Sequence, residues 1–173
     1  MTHGTRQKTT HSGFTFQVRP VRQDDEAALA EFFRHVTPED LRFRFLGSLK
    51  QVDHDRLQAM IDVDHNRTES FIACEQAGGP IIGAGMLACD TALKTGEVAI
   101  SIHSDYKNRG IAWELLGHIT EFAEAKGVKR LQSIEDRSNQ AAIRLEKEMG
   151  FSARPYAGDS TLALLEKTLS PAA

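Results

Sequence analysis

The sequence predicts an α/β (α+β) fold: a mixed, mostly antiparallel central sheet of six to seven strands with helices on both faces. Three observations carry that prediction. Residues 70–75, 81–88 and 97–103 are apolar or alternating runs separated by short turns, as in consecutive antiparallel strands. A long amphipathic run, 110–126, then joins residues 97–103 to the apolar segment 130–134, and a strand-helix-strand crossover makes those two strands parallel. Helical apolar stripes occur both before and after these strands, enough to cover two faces.

Taken in order, residues 1–13 are polar, with Arg6, Lys8 and no apolar period, and are expected to form a mobile tail before a single domain spanning 14–169. Phe14-Thr15-Phe16-Gln17-Val18-Arg19-Pro20-Val21 alternates as a half-buried strand does, and Pro20 suggests a sheet edge. Asp24 or Asp25 can cap a helix whose Leu29, Phe32, Phe33 and Val36 share one face. Thr37-Pro38-Glu39-Asp40 restarts a helix, with a capping hydroxyl, proline in the first turn and two acids behind it. Asp53 opens a third, containing Leu57, Met60 and Ile61. Ala77-Gly78-Gly79-Pro80 reads as the loop of a hairpin. In the long helix Leu115, Leu116, Ile119, Phe122 and Ala123 lie on one face, and Gly127 ends it. Asn139 starts a last helix with Ala142, Ile143, Leu145 and Met149 inward, stopped at Gly150-Phe151. Tyr156 and Leu162-Ala163-Leu164-Leu165 give one or two closing strands.

The 173 residues suit one domain, which would bury roughly 70% of its unfolded surface. A net charge of −3 argues against a general nucleic-acid or anionic-membrane binder, so any anion site must be local. No run approaches the ~20 apolar residues of a membrane span, residues 1–13 lack a signal-peptide core, and the protein is expected in the cytoplasm. Cys74 and Cys89 read as reduced, buried thiols on strands. The seven histidines show no close pair at helical ligand spacing, and no metal site is expected.

The densest chemistry is the turn Lys107-Asn108-Arg109-Gly110-Ile111-Ala112, between a strand and a helix. A side chain at Gly110 would hold the backbone away from a bound group, and the amides opening the helix carry partial positive charge. Such a turn favours phosphate, with Lys107 and Arg109 adding full charges. Gly83-Ala84-Gly85-Met86-Leu87-Ala88 matches a dinucleotide pattern but fails on context, because residues 89–96 cannot hold the required helix. Glycines in a strand that a helix approaches closely explain it better.

The turn resembles the acyl-CoA-binding signature Arg/Gln-x-x-Gly-x-Gly/Ala of the GNAT superfamily of N-acetyltransferases, with Lys107 in the first position. Asn139-x-x-Ala142-x-x-Leu145 followed by Gly150-Phe151 resembles the second half of that core, and the likeness extends over residues 16–165. Val18-Arg19-Pro20-Val21-Arg22-x-x-Asp25 and Arg42-Phe43-Arg44-Phe45 look most like bacterial protein-lysine acetyltransferase domains that modify acyl-CoA synthetases.

The resemblance implies the GNAT fold and acetyl-CoA as co-substrate, held by the backbone of Ile100 and Ile102, by Lys107, Asn108, Arg109, Gly110, Ile111 and Ala112, and by Asn139. It implies an amine acceptor, protein lysine or small molecule, with no nucleic acid and no membrane; a homodimer stays open. Strand parity puts Glu97 on one face with Ala99, Ser101 and His103, and the family's catalytic glutamate sits at this strand. Glu97 is therefore the expected base, with His103 as an alternative. Where the family carries a Tyr after Leu145 as general acid, this chain has Glu146. Either no protein acid protonates the leaving thiolate, or another group such as Tyr156 does. A catalytically silent acyl-CoA-binding module is the alternative to an enzyme.

Overall fold

The computed structural model describes residues 4–170. In chain order it contains β1 (Arg6–Thr9), β2 (Thr15–Pro20), α1 (Glu26–Arg34), α2 (Pro38–Phe45), α3 (His54–Ile61), β3 (Thr68–Cys74), β4 (Ile81–Cys89) and β5 (Thr95–Ile102). There follow α4 (Ile111–Ala125), β6 (Arg130–Asp136), α5 (Gln140–Glu148), β7 (Ser152–Pro155) and β8 (Leu162–Thr168). The strands form one sheet in the order β1-β2-β3-β4-β5-β6-β8-β7, antiparallel throughout except between β5 and β6.

Local chemistry sets several boundaries. Thr37 Oγ1 accepts from the Asp40 amide at 3.1 Å and Asp53 Oδ1 from the Arg56 amide at 2.9 Å, so the predicted caps of α2 and α3 are in place. Gly127, at φ +81°, closes α4. Asp25 does something else: its carboxylate takes the Arg22 amide at 2.6 Å and both Arg19 terminal nitrogens at 2.8 Å, and gives α1 no side-chain cap. Burial pushes this carboxyl up, but the bonds from Arg19 and Arg22 outweigh it and hold it below its ordinary value.

Two cores flank the sheet. Leu115, Leu116, Ile119 and Phe122 of α4 pack with Phe71, Leu87, Val98, Leu131 and Leu165 on one face. On the other, α1–α3 bury Leu29, Phe32, Phe33, Leu57 and Ile61 against Ile72 and Ile81. The strand glycines admit α4: a Cβ on Gly85 would stand 2.7 Å from Ile119 Cδ1, and one on Gly83 3.5 Å from Ile111 Cγ2.

The structure corrects three expectations. Among the described residues the sheet has eight strands rather than six or seven. Of residues 1–13, read as a mobile tail, residues 1–3 lie outside the described residues, whereas Arg6–Thr9 pair with β2 as its outer neighbour. Arg6-Gln7-Lys8-Thr9 carries no apolar residue because an edge strand with exposed faces needs none, so periodicity could not reveal it. Pro20 does not mark an edge strand, since β2 is flanked by β1 and β3; it lies past Val18, the last β2 residue paired with β1.

Two glycine substitutions test this packing with opposite signs. Gly85→Val should destabilise by about 1–3 kcal/mol through overpacking against Ile119 and Leu115. Gly117→Ala, mid-helix in α4 with only Met149 Cε within reach at 3.9 Å, should stabilise by about 0.5–1 kcal/mol. Thermal melts read both.

Candidate active site

β5 and β6 pair only through Thr95↔Arg130, Gly96↔Leu131 and Glu97↔Gln132. Beyond Glu97 they part, while β5 stays on β4 as far as Ile102 and β6 stays on β8 as far as Asp136. The edge of β5 facing the gap therefore offers backbone groups that β6 does not pair. A cavity of about 320 Å³ occupies the seam, walled by β5, β6, the starts of α4 and α5, and Phe43, Arg44 and Leu46 from the end of α2.

At one end of the cavity lies the turn before α4. Asn108 (φ +64°) and Gly110 (φ +88°) are both left-handed, and no side chain caps the helix, so its first amides face outward. A Cβ at Gly110 would also stand 3.1 Å from Thr10 Cβ, so the turn is pressed against the chain between β1 and β2. Lys107 Nζ pairs with Asp40 Oδ2 at 2.7 Å. Of the expected coenzyme-binding residues, Ile100, Ile102, Lys107, Asn108, Gly110, Ile111, Ala112 and Asn139 all line the cavity. Arg109 does not; its guanidinium lies over the rings of Tyr106 (4.8 Å) and Phe14 (5.7 Å).

Glu97 also lines the cavity and is exposed. By strand alternation it shares the α1–α3 face with Ala99 and Ser101. Arg44 reaches the same wall, its Nη2 4.0 Å from Met86 Sδ and its guanidinium 4.9 Å from the Phe45 ring centroid. Burial lowers the Arg44 pKa and the Glu97 charge works against that. Sequence reading placed Arg44 in an aromatic-rich motif but gave it no role. His103 is not on the wall: Nδ1 accepts from the Asp105 amide at 3.0 Å and the ring stacks on His35 at 4.6 Å. Burial, then the neighbouring His35, lower its pKa. Tyr156, beyond β7, does not line the cavity either.

Glu146 lies on the opposite side of the seam. It is only 6% exposed, lines the cavity, and its Oε2 is enclosed without a hydrogen-bond partner. Beside it, Glu135 is held by Ser133 Oγ at 2.7 Å and Asn139 Nδ2 at 3.3 Å, while Asn139 Oδ1 caps α5 through the Ala142 amide. Burial first, then the Glu135 charge, push the Glu146 carboxyl up to about 9. The sequence contained the signal for this burial: Ala142, Leu145, Glu146 and Met149 follow the i, i+3, i+4, i+7 spacing of the inward face.

The fold and site can be set beside known proteins. The model of the acetyltransferase (GNAT) family matches residues 29–151. Acetyltransferase PA5475 of Pseudomonas aeruginosa is 27% identical over 146 residues, 83% of this chain and 78% of that protein. Among solved structures, the GNAT domain of S. lividans PAT superposes with a TM-score of 0.88 at 22% identity, over 95% of this chain and 97% of that one. YncA of Salmonella typhimurium, solved with its cofactor acetyl-CoA, gives 0.71 at 20% identity, over 91% and 96%.

The raised Glu146 carboxyl has a measurable effect on stability. Between about pH 4.5 and 9 the folded chain keeps a proton there that the unfolded chain releases, so this group's contribution falls as pH rises through that window. Glu146→Gln should therefore melt several degrees above wild type near pH 8, with the difference closing toward pH 4.5. A pH-independent difference would contradict a proton-bearing Glu146.

Proposed function

The chain belongs to the GNAT family of acetyltransferases, and from that premise we propose that it transfers the acetyl group of acetyl-CoA to the side-chain amine of a protein lysine, with Glu97 as base. The observation that carries the reading is the parted seam, with an anion-binding turn at one end and an exposed carboxylate on the α1–α3 face.

The backbone edge of β5 beyond Glu97 supplies donors and acceptors for the amides of the pantetheine arm. The outward amides of the turn from Lys107 to Ala112 receive the pyrophosphate. A lysine with pKa of about 10.4 is mostly ammonium at neutral pH, and its nitrogen lone pair is then occupied. Glu97, directly or through water, takes that proton. The neutral amine attacks the acetyl carbonyl while a backbone N–H near Ile100 polarises the carbonyl oxygen. The acetyl group passes directly, with no covalent enzyme intermediate. Cys74 and Cys89 are buried, and burial pushes both thiols up, away from the reactive thiolate.

Protein lysine is favoured by the exposure of Glu97 and by the rim beside it. Leu46, 43% exposed and left-handed at the end of α2, also lines the cavity and offers apolar surface to an acceptor's own backbone. A long lysine arm can reach a carboxylate at such a mouth, whereas a free metabolite is usually held by enclosure. The Arg42-Phe43-Arg44-Phe45 likeness to protein-lysine acetyltransferases supports the same acceptor.

The test is thiol release from acetyl-CoA with Nα-blocked lysine peptides beside a panel of small amines. Peptide-dependent turnover is expected; turnover of small amines alone would reject the protein acceptor. Glu97→Gln should lower kcat by about 10²–10⁴-fold and leave acetyl-CoA affinity unchanged, and undiminished kcat would remove Glu97 from the mechanism.

A further inference from the structure

We propose that Glu146 is the general acid of the transfer, its carboxyl group giving a proton to the coenzyme sulfur as the thioester breaks. The inference rests on the acetyltransferase reading of the same cavity and assigns the half of the proton traffic that Glu97 cannot serve.

The geometry separates the roles of two neighbouring carboxyls. Glu135 has two donors, Ser133 Oγ and Asn139 Nδ2, and is the member arranged to carry charge. Glu135 and Ser133 also come within hydrogen-bond reach of Glu146, but its Oε2 is enclosed without a partner, and as the more deeply buried carboxyl it is the member that keeps the proton. Glu135, on β6, is the charged group that acts on Glu146; Lys167 of β8 gives its ammonium to the Met149 carbonyl at 2.9 Å instead. Glu146 also faces the same cavity as Glu97 from the other side, with Ala142, Leu145 and Leu116 making the wall around it apolar.

A bare thiolate expelled beside Glu146 would be repelled by the Glu135 carboxylate. A proton delivered from Glu146 prevents that. The nitrogen–carbon bond forms, the carbon–sulfur bond breaks, and its electron pair goes to sulfur. The proton on Glu146 moves to the same sulfur, giving a neutral thiol. The proton that Glu97 took from the ammonium passes to solvent before the attack. Glu97, free again, takes the second proton from nitrogen as the amide forms and passes that to solvent too, and solvent returns one to Glu146, drawn back by the Glu135 charge. The balance is ammonium plus thioester to amide plus thiol plus one proton. A carboxyl raised to about 9 still carries its proton at neutral pH and can supply it to the departing sulfur.

The full chain tests this through two independent readouts. Infrared spectra at neutral pH should show a protonated carboxyl band that Glu146→Gln removes, whether or not an acceptor is known. In thiol-release assays with saturating acetyl-CoA, using a Nα-blocked lysine peptide and, in parallel, water as acceptor, Glu146→Gln should lower kcat by about 10²–10⁴-fold with acetyl-CoA affinity retained. Wild-type kcat should fall above about pH 9, and Glu135→Gln should move that descending limb to lower pH. A missing carboxyl band or wild-type kcat in Glu146→Gln overturns the acid. Should Glu146→Gln fail to bind acetyl-CoA, the Glu135→Gln limb decides, and an unmoved limb overturns it. No thiol release from wild type with either acceptor sinks the transfer reading itself and the acid with it.

Discussion

Everything at the site follows from one interruption: the β5–β6 ladder stops at Glu97↔Gln132 while each strand remains fastened to its other neighbour. An unpaired edge inside a sheet is ordinarily a defect, because backbone amides removed from water need partners. Here the missing partner is replaceable by a ligand that carries amides of its own. The same opening connects the two faces of the sheet, which a continuous ladder would keep apart.

That connection lets two carboxyls face one seam from opposite sides of the sheet. Glu97 reaches the seam from the α1–α3 face, exposed and beside Arg44. Glu146 reaches it from α5, enclosed and beside another carboxyl. Environment rather than residue type sets them apart, since desolvation and a like charge favour the neutral form of Glu146, whereas Glu97 is exposed. The glycines of β4 belong to the same design: with no side chains at Gly83 and Gly85, α4 lies close to the sheet and its first turn stands at the end of the seam.

Much of this was legible in the sequence because it depends on local rules. The crossover fixed β5 beside β6, the turn before α4 announced itself through Gly110 and its flanking cations, and strand alternation put Glu97 on one face with Ala99 and Ser101. What escaped depends on contacts between distant residues. β1 has no apolar pattern and is held only by its ladder with β2. Lys107, expected to serve a phosphate, is paired across the fold with Asp40 of α2, and Arg109 turns toward Phe14 and Tyr106. Tyr156, left open as an acid by the sequence, does not line the cavity, and its distance from it is a tertiary fact. Glu146 was identified as a departure from the family pattern, yet its burial could have been read from its place on the apolar stripe of α5.

The close packing of Thr10 on Gly110 ties the turn before α4 to the rim of the sheet. Outer strands open more readily than central ones, because they are paired on one side only and shield less apolar surface. β1 is such a strand, and the buried Thr10 directly follows it. Fraying at that margin reaches the turn at Gly110 before either core loosens, so on heating that turn keeps its shape only as long as the most weakly protected strand stays paired.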